Sequence, residues 1–272
     1  MRSTLLRPLL GHPAVQEPVR RWVRSTLALL LRWRSAPFGL GPESELLTIA
    51  PHSDDACLGC GGLLVQRRLE GLPVTVAYLT DGSASHPGHP IYGPPQIVQI
   101  RKQEAFEALR RIGVDGACVH FVGLPDGRLD KLTSAEQGAA ISSLRKLIEQ
   151  VRPTHIALPC LGDGSTEHAG AFQVLRAAAR ASSCRIQLLE YPVWSWWSPL
   201  RLVRMLVRAR RVWRVDYRGY QEIKRRAISA HASQIEATPP WTEPVLPREF
   251  APSFTAAAME FLFEMEGPCG GS

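Results

Sequence analysis

An uninterrupted apolar run, LLTIA at residues 46–50, breaks off directly into PHSDDACLGCGG, where a histidine and two adjacent aspartates precede a cluster of glycines. A continuous apolar and β-branched run reads as a strand covered on both faces, the kind found inside a parallel sheet. Two neighbouring carboxylates cannot continue into that core unpaired, so the chain must emerge at this point. In open α/β sheets the crevice beyond the carboxyl ends of the strands is where ligands bind. The polar cluster is therefore the first candidate for a functional site.

The same alternation recurs along the chain. A helix is expected from Asp55 or Ala56 through GGLLVQRRLE, then a strand at Val74–Thr80, a loop DGSASHPGHPIYGPP, and a helix QIVQIRKQEAFEALRRIG closed by Gly113. Strands follow at Ala117–Leu124, at His155–Cys160 and in RIQLLEYPVW, separated by helices from about Ser134 to Val151 and over AGAFQVLRAAARAS. Strand and helix alternating in this way predict an α/β fold, a parallel sheet with helices on both faces. A chain of 272 residues with 45% hydrophobic content can bury one full core of this type. The expected organisation is a basic N-terminal helical segment over 1–44, a catalytic-looking body over 45–235, and a proline-rich C-terminal wrap with a short helix over 236–272.

Cysteine usage and charge narrow the setting. The six cysteines are scattered over a chain too long to need stapling, which predicts reduced thiols and a cytoplasmic protein. Cys57 and Cys60 form a lone CxxC inside an expected helix; helix packing suits them better than a redox or zinc role. Residues 1–40 carry a net +6 and residues 199–231 a net +8, so the body between is acidic. In the second basic segment, an insertion at about 199–218, Leu202, Leu206, Ala209 and Trp213 fall on one helical face and Arg201, Arg204, Arg208 and Arg211 on another. Two readings suit this pattern: a surface helix that packs its apolar stripe on the core, or a helix resting on the inner face of an anionic membrane. No aromatic-interleaved basic motif points to nucleic acid. The apolar stretch Leu27–Leu31 is far shorter than the ~20 residues needed to span a bilayer.

The chemistry comes from two turns. His52 and Asp55 follow one strand, and Glu167 and His168 follow another through Asp163 and Gly164; in a parallel sheet both turns open on the same edge. His52, Asp55 and His168 make a two-histidine, one-carboxylate set. Three protein ligands with an open position suit a catalytic zinc, Zn2+, whose bound water is acidified. Asp54, beside a ligand but not needed as one, is placed to take the proton of that water.

These residues resemble the LmbE-like or PIG-L-type de-N-acetylases. PHSDDACLGCGG is similar to the family's A-H-P-D-D-E signature, and DGSTEHAG stands where its H-P-D-H element is expected. LTDGSASHP, IRKQEAFEALRRIGV, FVGLPDGRL and KRRAISAHASQ extend the likeness over about residues 45–235. The resemblance implies a Rossmann-like fold and a zinc-dependent amide hydrolase, with His52, Asp55 and His168 as metal ligands, Asp54 as general base, and Arg101 and Asp126 lining a sugar pocket.

Four positions depart from the family pattern. Ser53 replaces a proline, Ala56 a glutamate and Glu167 an aspartate, while Ser165 stands in the substrate site where family members place a histidine. His86 and His89 in the SASHPGHP loop are substitutes to weigh for that histidine, against the plainer reading of solvated loop histidines. The sequence thus points to removal of an N-acetyl, or more broadly N-acyl, group from an N-acetylglucosaminyl-type amino sugar, presented as a small glycoside or a lipid-linked glycan. The alternatives are an amidase for another N-acyl conjugate and a non-catalytic sugar-binding relic of the same fold.

Overall fold

The computed structural model describes residues 13–256, 258–267 and 269. In chain order its elements are helix α1 (Pro13–Arg34), strands β1 (Ala36–Pro37) and β2 (Leu46–Ala50), helix α2 (Asp55–Leu69), strand β3 (Val74–Thr80), helix α3 (Pro94–Ile112) and strand β4 (Val119–Leu124). There follow helix α4 (Ser134–Val151), strand β5 (His155–Pro159), helix α5 (Thr166–Arg180), strand β6 (Gln187–Tyr191), helix α6 (Pro199–Arg208), strand β7 (Arg211–Asp216), helix α7 (Gln221–Ile228) and strand β8 (Met259–Glu264). Residues 1–12 of the expected basic N-terminal segment lie outside the described residues.

All strands join one sheet in the order β1-β7-β8-β6-β5-β2-β3-β4. From β6 to β4 every pairing is parallel, with β2 at the centre between β5 and β3. Every residue of β2 is buried. Leu46 and Ala50 join the core cluster shared with α2, α3 and α7, whereas Leu47 and Ile49 join the cluster shared with α4 and α5. Alternate side chains thus enter opposite cores, and this is why the run is apolar without interruption. Gly113 ends α3 in the left-handed region at φ 89°, and Thr133 and Glu136 close a reciprocal capping box at the start of α4.

The far edge of the sheet corrects the sequence reading. β8 runs antiparallel to both β6 and β7, so the sheet is mixed, and the C-terminal segment contributes a strand as well as its wrap and short helical turn. The basic amphipathic segment expected at about 199–218 is not one helix. α6 stops at Arg208, with Ala209 beyond it in extended geometry, and Trp213 lies on β7 against Phe38. β7, RVWRVD, carries the same arginine and apolar mixture as α6, so a helical-period pattern extends across the strand. Leu202, Met205 and Leu206 pack into a core with Leu31, Phe261 and Phe263. No helix of the described residues is long and apolar enough to cross a membrane.

Candidate metal centre

The glycines after the aspartate pair bring α2 tight against the sheet. A Cβ on Gly59 would fall inside the ring of Tyr191, whose hydroxyl donates to the Ile49 carbonyl at 2.8 Å. α2 therefore begins directly over the end of β2. Its first residue, Asp55, sits where the helix dipole favours a carboxylate. Asp55 Oδ2 accepts from the His52 backbone N–H at 2.9 Å and lies 3.0 Å from His52 Nδ1. Both free thiols of the CxxC are buried in the core beside it, as packing residues.

The second turn arrives from β5, the parallel neighbour of β2. Gly164 takes φ 92°, and a Cβ there would collide with the Arg201 guanidinium. Ser165 is the N-cap of α5, accepting from the His168 backbone N–H at 3.3 Å. It fixes the turn that carries His168 and does not line the cleft. His168, fully buried, reaches across so that its Nε2 is 3.4 Å from Asp55 Oδ2. Among the described residues, His52, Asp55 and His168 form a group whose donor atoms all lie within 4.8 Å of one another. The two turns 113 residues apart thus meet as the parallel sheet requires.

Asp163, read from the sequence only as a turn residue, proves central. Its carboxylate accepts from the N–H groups of Val193 (3.1 Å), Trp194 (2.9 Å) and Ser195 (2.8 Å), and from His168 Nδ1 at 2.8 Å. Four donors occupy its four acceptor positions. His168 is thereby held with Nδ1 as donor and Nε2 free, and Nε2 has no hydrogen-bond partner. A neutral ring would turn that lone pair onto the Asp55 carboxylate in a dry site. Two lone pairs facing each other there require a cation between them, a proton or a metal ion.

The charges make the same demand. Burial disfavours a proton on His52, yet Asp55 and Asp126 outweigh it and push its pKa up to about 10. Burial likewise opposes a proton on His168, but Asp55 and Asp163 raise it to about 9. Asp55, which burial alone would raise, is held far below the carboxylate range by the two histidines. The set thus holds positive charge strongly, and its N, N and O donors suit a borderline metal such as zinc. The residues fit the ion that the sequence implies.

The rest of the cleft, a space of about 250 Å³, gathers other residues singled out from the sequence. Asp54 and Arg101 line it, joined by a 3.1 Å ion pair, and Arg101 Nε donates to Ser53 Oγ at 3.1 Å. Ser53, in the signature's proline position, is thus a second anchor for the arginine. Asp126 also lines it, 3.4 Å from His52 Nε2, with its Oδ2 accepting from Ala84 N–H. Glu167 accepts from the N–H groups of Gly127 (3.1 Å) and Leu129 (2.7 Å), so its longer side chain ties α5 to the Asp126 loop. Leu58, Val193, Trp194, Leu246 and Phe250 give the cleft an apolar side.

His86 and His89 are not solvated loop residues. His86 stacks on Trp241 with ring centroids 5.3 Å apart, and His89 Nε2 meets the Thr238 carbonyl at 3.2 Å. They pin the 81–93 loop to the C-terminal wrap, and neither lines the cleft. A larger cavity of about 360 Å³ lies between α1 and the body and contains none of the candidate ligands.

Comparison with known proteins was consistent with this geometry. Residues 47–179 match the family described as PIG-L, GlcNAc-PI de-N-acetylase. The chain is 29% identical over 124 residues to the probable N-acetyl-alpha-D-glucosaminyl L-malate deacetylase 2 of Bacillus subtilis, covering 45% of this chain and 54% of that protein, about half of its length. It is 25% identical over 234 residues to the 1D-myo-inositol 2-acetamido-2-deoxy-alpha-D-glucopyranoside deacetylase of Mycobacteroides abscessus, covering 70% and 81%. Among solved structures, the A40926 pseudoaglycone deacetylase Dbv21 is similar with a TM-score of 0.59 at 17% identity, over 82% of this chain and 97% of that one. GalB, the 4-carboxy-2-hydroxymuconate hydratase of Pseudomonas putida, is similar with a TM-score of 0.55 at 19% identity, over 70% and 80%. At these identities the structural likeness establishes the fold alone.

Proposed function

With residues 47–179 carrying a PIG-L (LmbE-like) deacetylase family domain, we propose that this protein is a zinc-dependent hydrolase that removes the N-acetyl group from an N-acetylglucosaminyl-type amino sugar. The observation that carries the proposal is the partnerless His168 Nε2 turned onto Asp55 by the saturated Asp163 carboxylate. A zinc ion held by His52, Asp55 and His168 would supply Lewis-acid polarisation of the amide carbonyl and an acidified water. Asp54 accepts the proton of the attacking water. Its ion pair with Arg101 aims one oxygen and leaves the carboxylate on the cleft wall. As the C–N bond breaks, the same carboxyl returns the proton to the departing amine, which covers the step that a histidine at position 165 would otherwise serve. Asp126 and Arg101 provide polar contacts for sugar hydroxyls, while Trp194 and Phe250 offer an apolar wall to the ring.

Acetate release from a panel of free and glycosidically linked N-acetylhexosamines, with and without chelator, tests this reading. Release that stops on chelation and returns with zinc is the expected result. Retained metal with no release across the panel would instead fit a sugar-binding relic, a reading favoured by serine at position 165.

A further inference from the structure

We propose that the outer faces of α1 and α6 together form a docking surface for an anionic lipid bilayer. The apolar residues that the sequence suggested for such a role, Leu202 and Leu206, are spent on the core. A different set remains outside. On α1, Trp22, Leu29 and Trp33 are 70%, 66% and 81% exposed, and their spacing of seven and four places them on one face. On α6, Leu200 and Val207 are 61% and 77% exposed and Val203 stands between them, again at helical spacing.

The two stripes belong to adjoining helices. α1 packs against α6, and both helices turn their opposite faces, through Leu31 and Leu202, into the same core cluster. What remains outward is a two-helix surface with two exposed indoles. Indoles prefer the headgroup level of a bilayer, where an apolar ring meets water. Bulk water gives such a patch no compensation.

The occupant follows from charge. No acidic residue occurs in 22–34 or in 199–208, whereas Arg32, Arg34, Arg204 and Arg208 are exposed along the stripes. Asp216 on β7 is the acidic group that faces Arg32 from a neighbouring element, and within the two helical stretches the large apolar groups have arginines as their charged neighbours, which matches the interface of a bilayer with anionic headgroups. The arrangement lies on a membrane and does not span it, in keeping with helices of this length and polarity. Arg201 takes no part, being turned over Gly164.

Vesicle flotation tests the proposal without reference to catalysis. The intact protein should float with phosphatidylcholine–phosphatidylglycerol vesicles at low salt, and should stay behind with phosphatidylcholine alone or at high salt. Each arginine near an anionic surface contributes about fivefold in partitioning, so Arg32→Gln with Arg204→Gln and Arg208→Gln should weaken binding by about 10²-fold. Trp33→Ser and Val207→Asp should also abolish flotation while leaving the thermal midpoint unchanged, since both side chains touch little protein. Failure to float at low salt would overturn the proposal, as would flotation that ignores lipid charge and the arginine variants. A soluble dimer by light scattering that Val207→Asp splits, with no flotation, would assign the surface to a second copy of the chain and overturn it equally.

Discussion

Two buried clusters of charge are built on the same helix, α2, and they differ in one respect. Where α2 kinks at Cys60, Lys224 Nζ donates to the Leu58 carbonyl at 3.0 Å and to Glu260 at 2.6 Å, while Glu260 accepts from the N–H groups of Gly62 and Leu63 at 2.6 and 2.9 Å. Three backbone groups at the kink thus find a side chain, and one cation meets one anion. At the start of α2, by contrast, five carboxylates gather, those of Asp54, Asp55, Asp126, Asp163 and Glu167; among the described residues only Asp54 pairs with a guanidinium, that of Arg101, and His168 Nε2 has no hydrogen-bond partner. A structural cluster closes on itself. The cluster that leaves a lone pair and an excess of negative charge is the one built to take something in.

If that contrast is right, damage to the two clusters must separate cleanly. The largest effect on turnover is expected for Asp54→Asn, which keeps the shape of the cleft and removes the proposed proton acceptor: turnover should fall by about 10²-fold or more with zinc content unchanged. Near-normal rates in a steady-state assay would place the base elsewhere. In the closed cluster, Lys224→Met strands Glu260 as a buried anion and should cost about 3–5 kcal/mol in denaturant unfolding, with zinc stoichiometry intact. Loss of metal in that variant would show that the clusters are not independent. Asp163→Asn sharpens the comparison from the other side, since an amide cannot accept all four donors and loosens the His168 tautomer. Zinc affinity measured by chelator competition should drop about 10–100-fold.

The smallest effect concerns a buried carboxylate outside both clusters, Glu190, which accepts from Leu161 N–H at 3.0 Å and among the described residues has no ion-pair partner within 4 Å. Burial pushes its pKa up to about 7. The folded state therefore holds this proton more tightly than the unfolded chain, so its contribution to stability is full below the ordinary carboxylate pKa and is lost as pH rises toward 7. Glu190→Gln should flatten that fall and raise the thermal midpoint above pH 7, by a free energy on the order of 1 kcal/mol. An unchanged pH profile would mean that the carboxyl is already compensated.

How much of this was legible in the sequence depends on how local each signal was. The β2 run, the start of α2 at Asp55, the span of α4 and the Gly113 cap follow from period and capping chemistry, and the structure has them where the pattern put them. The meeting of His52, Asp55 and His168 was also readable, because parallel topology dictates which turns share an edge. Strand β8 and the end of α6 were not, since both are decided by pairing between segments far apart in sequence. The bonding role of Asp163 is not legible for a related reason: its three backbone donors come from residues 193–195, which nothing in its own turn announces. The spacing Asp-x-x-x-x-His across a helix start was the available signal. His86 and His89 looked like solvent-facing loop residues because Trp241 and Thr238, which bury them, lie some 150 residues later.

The central claim is that the unsatisfied cluster holds a metal ion, and elemental analysis of the purified protein with His52→Ala and His168→Ala variants tests it most directly. The account predicts zinc bound stoichiometrically by the intact protein and lost from both variants, each folded by circular dichroism, because two remaining ligands rarely retain a catalytic zinc. Full zinc content in both variants would contradict it.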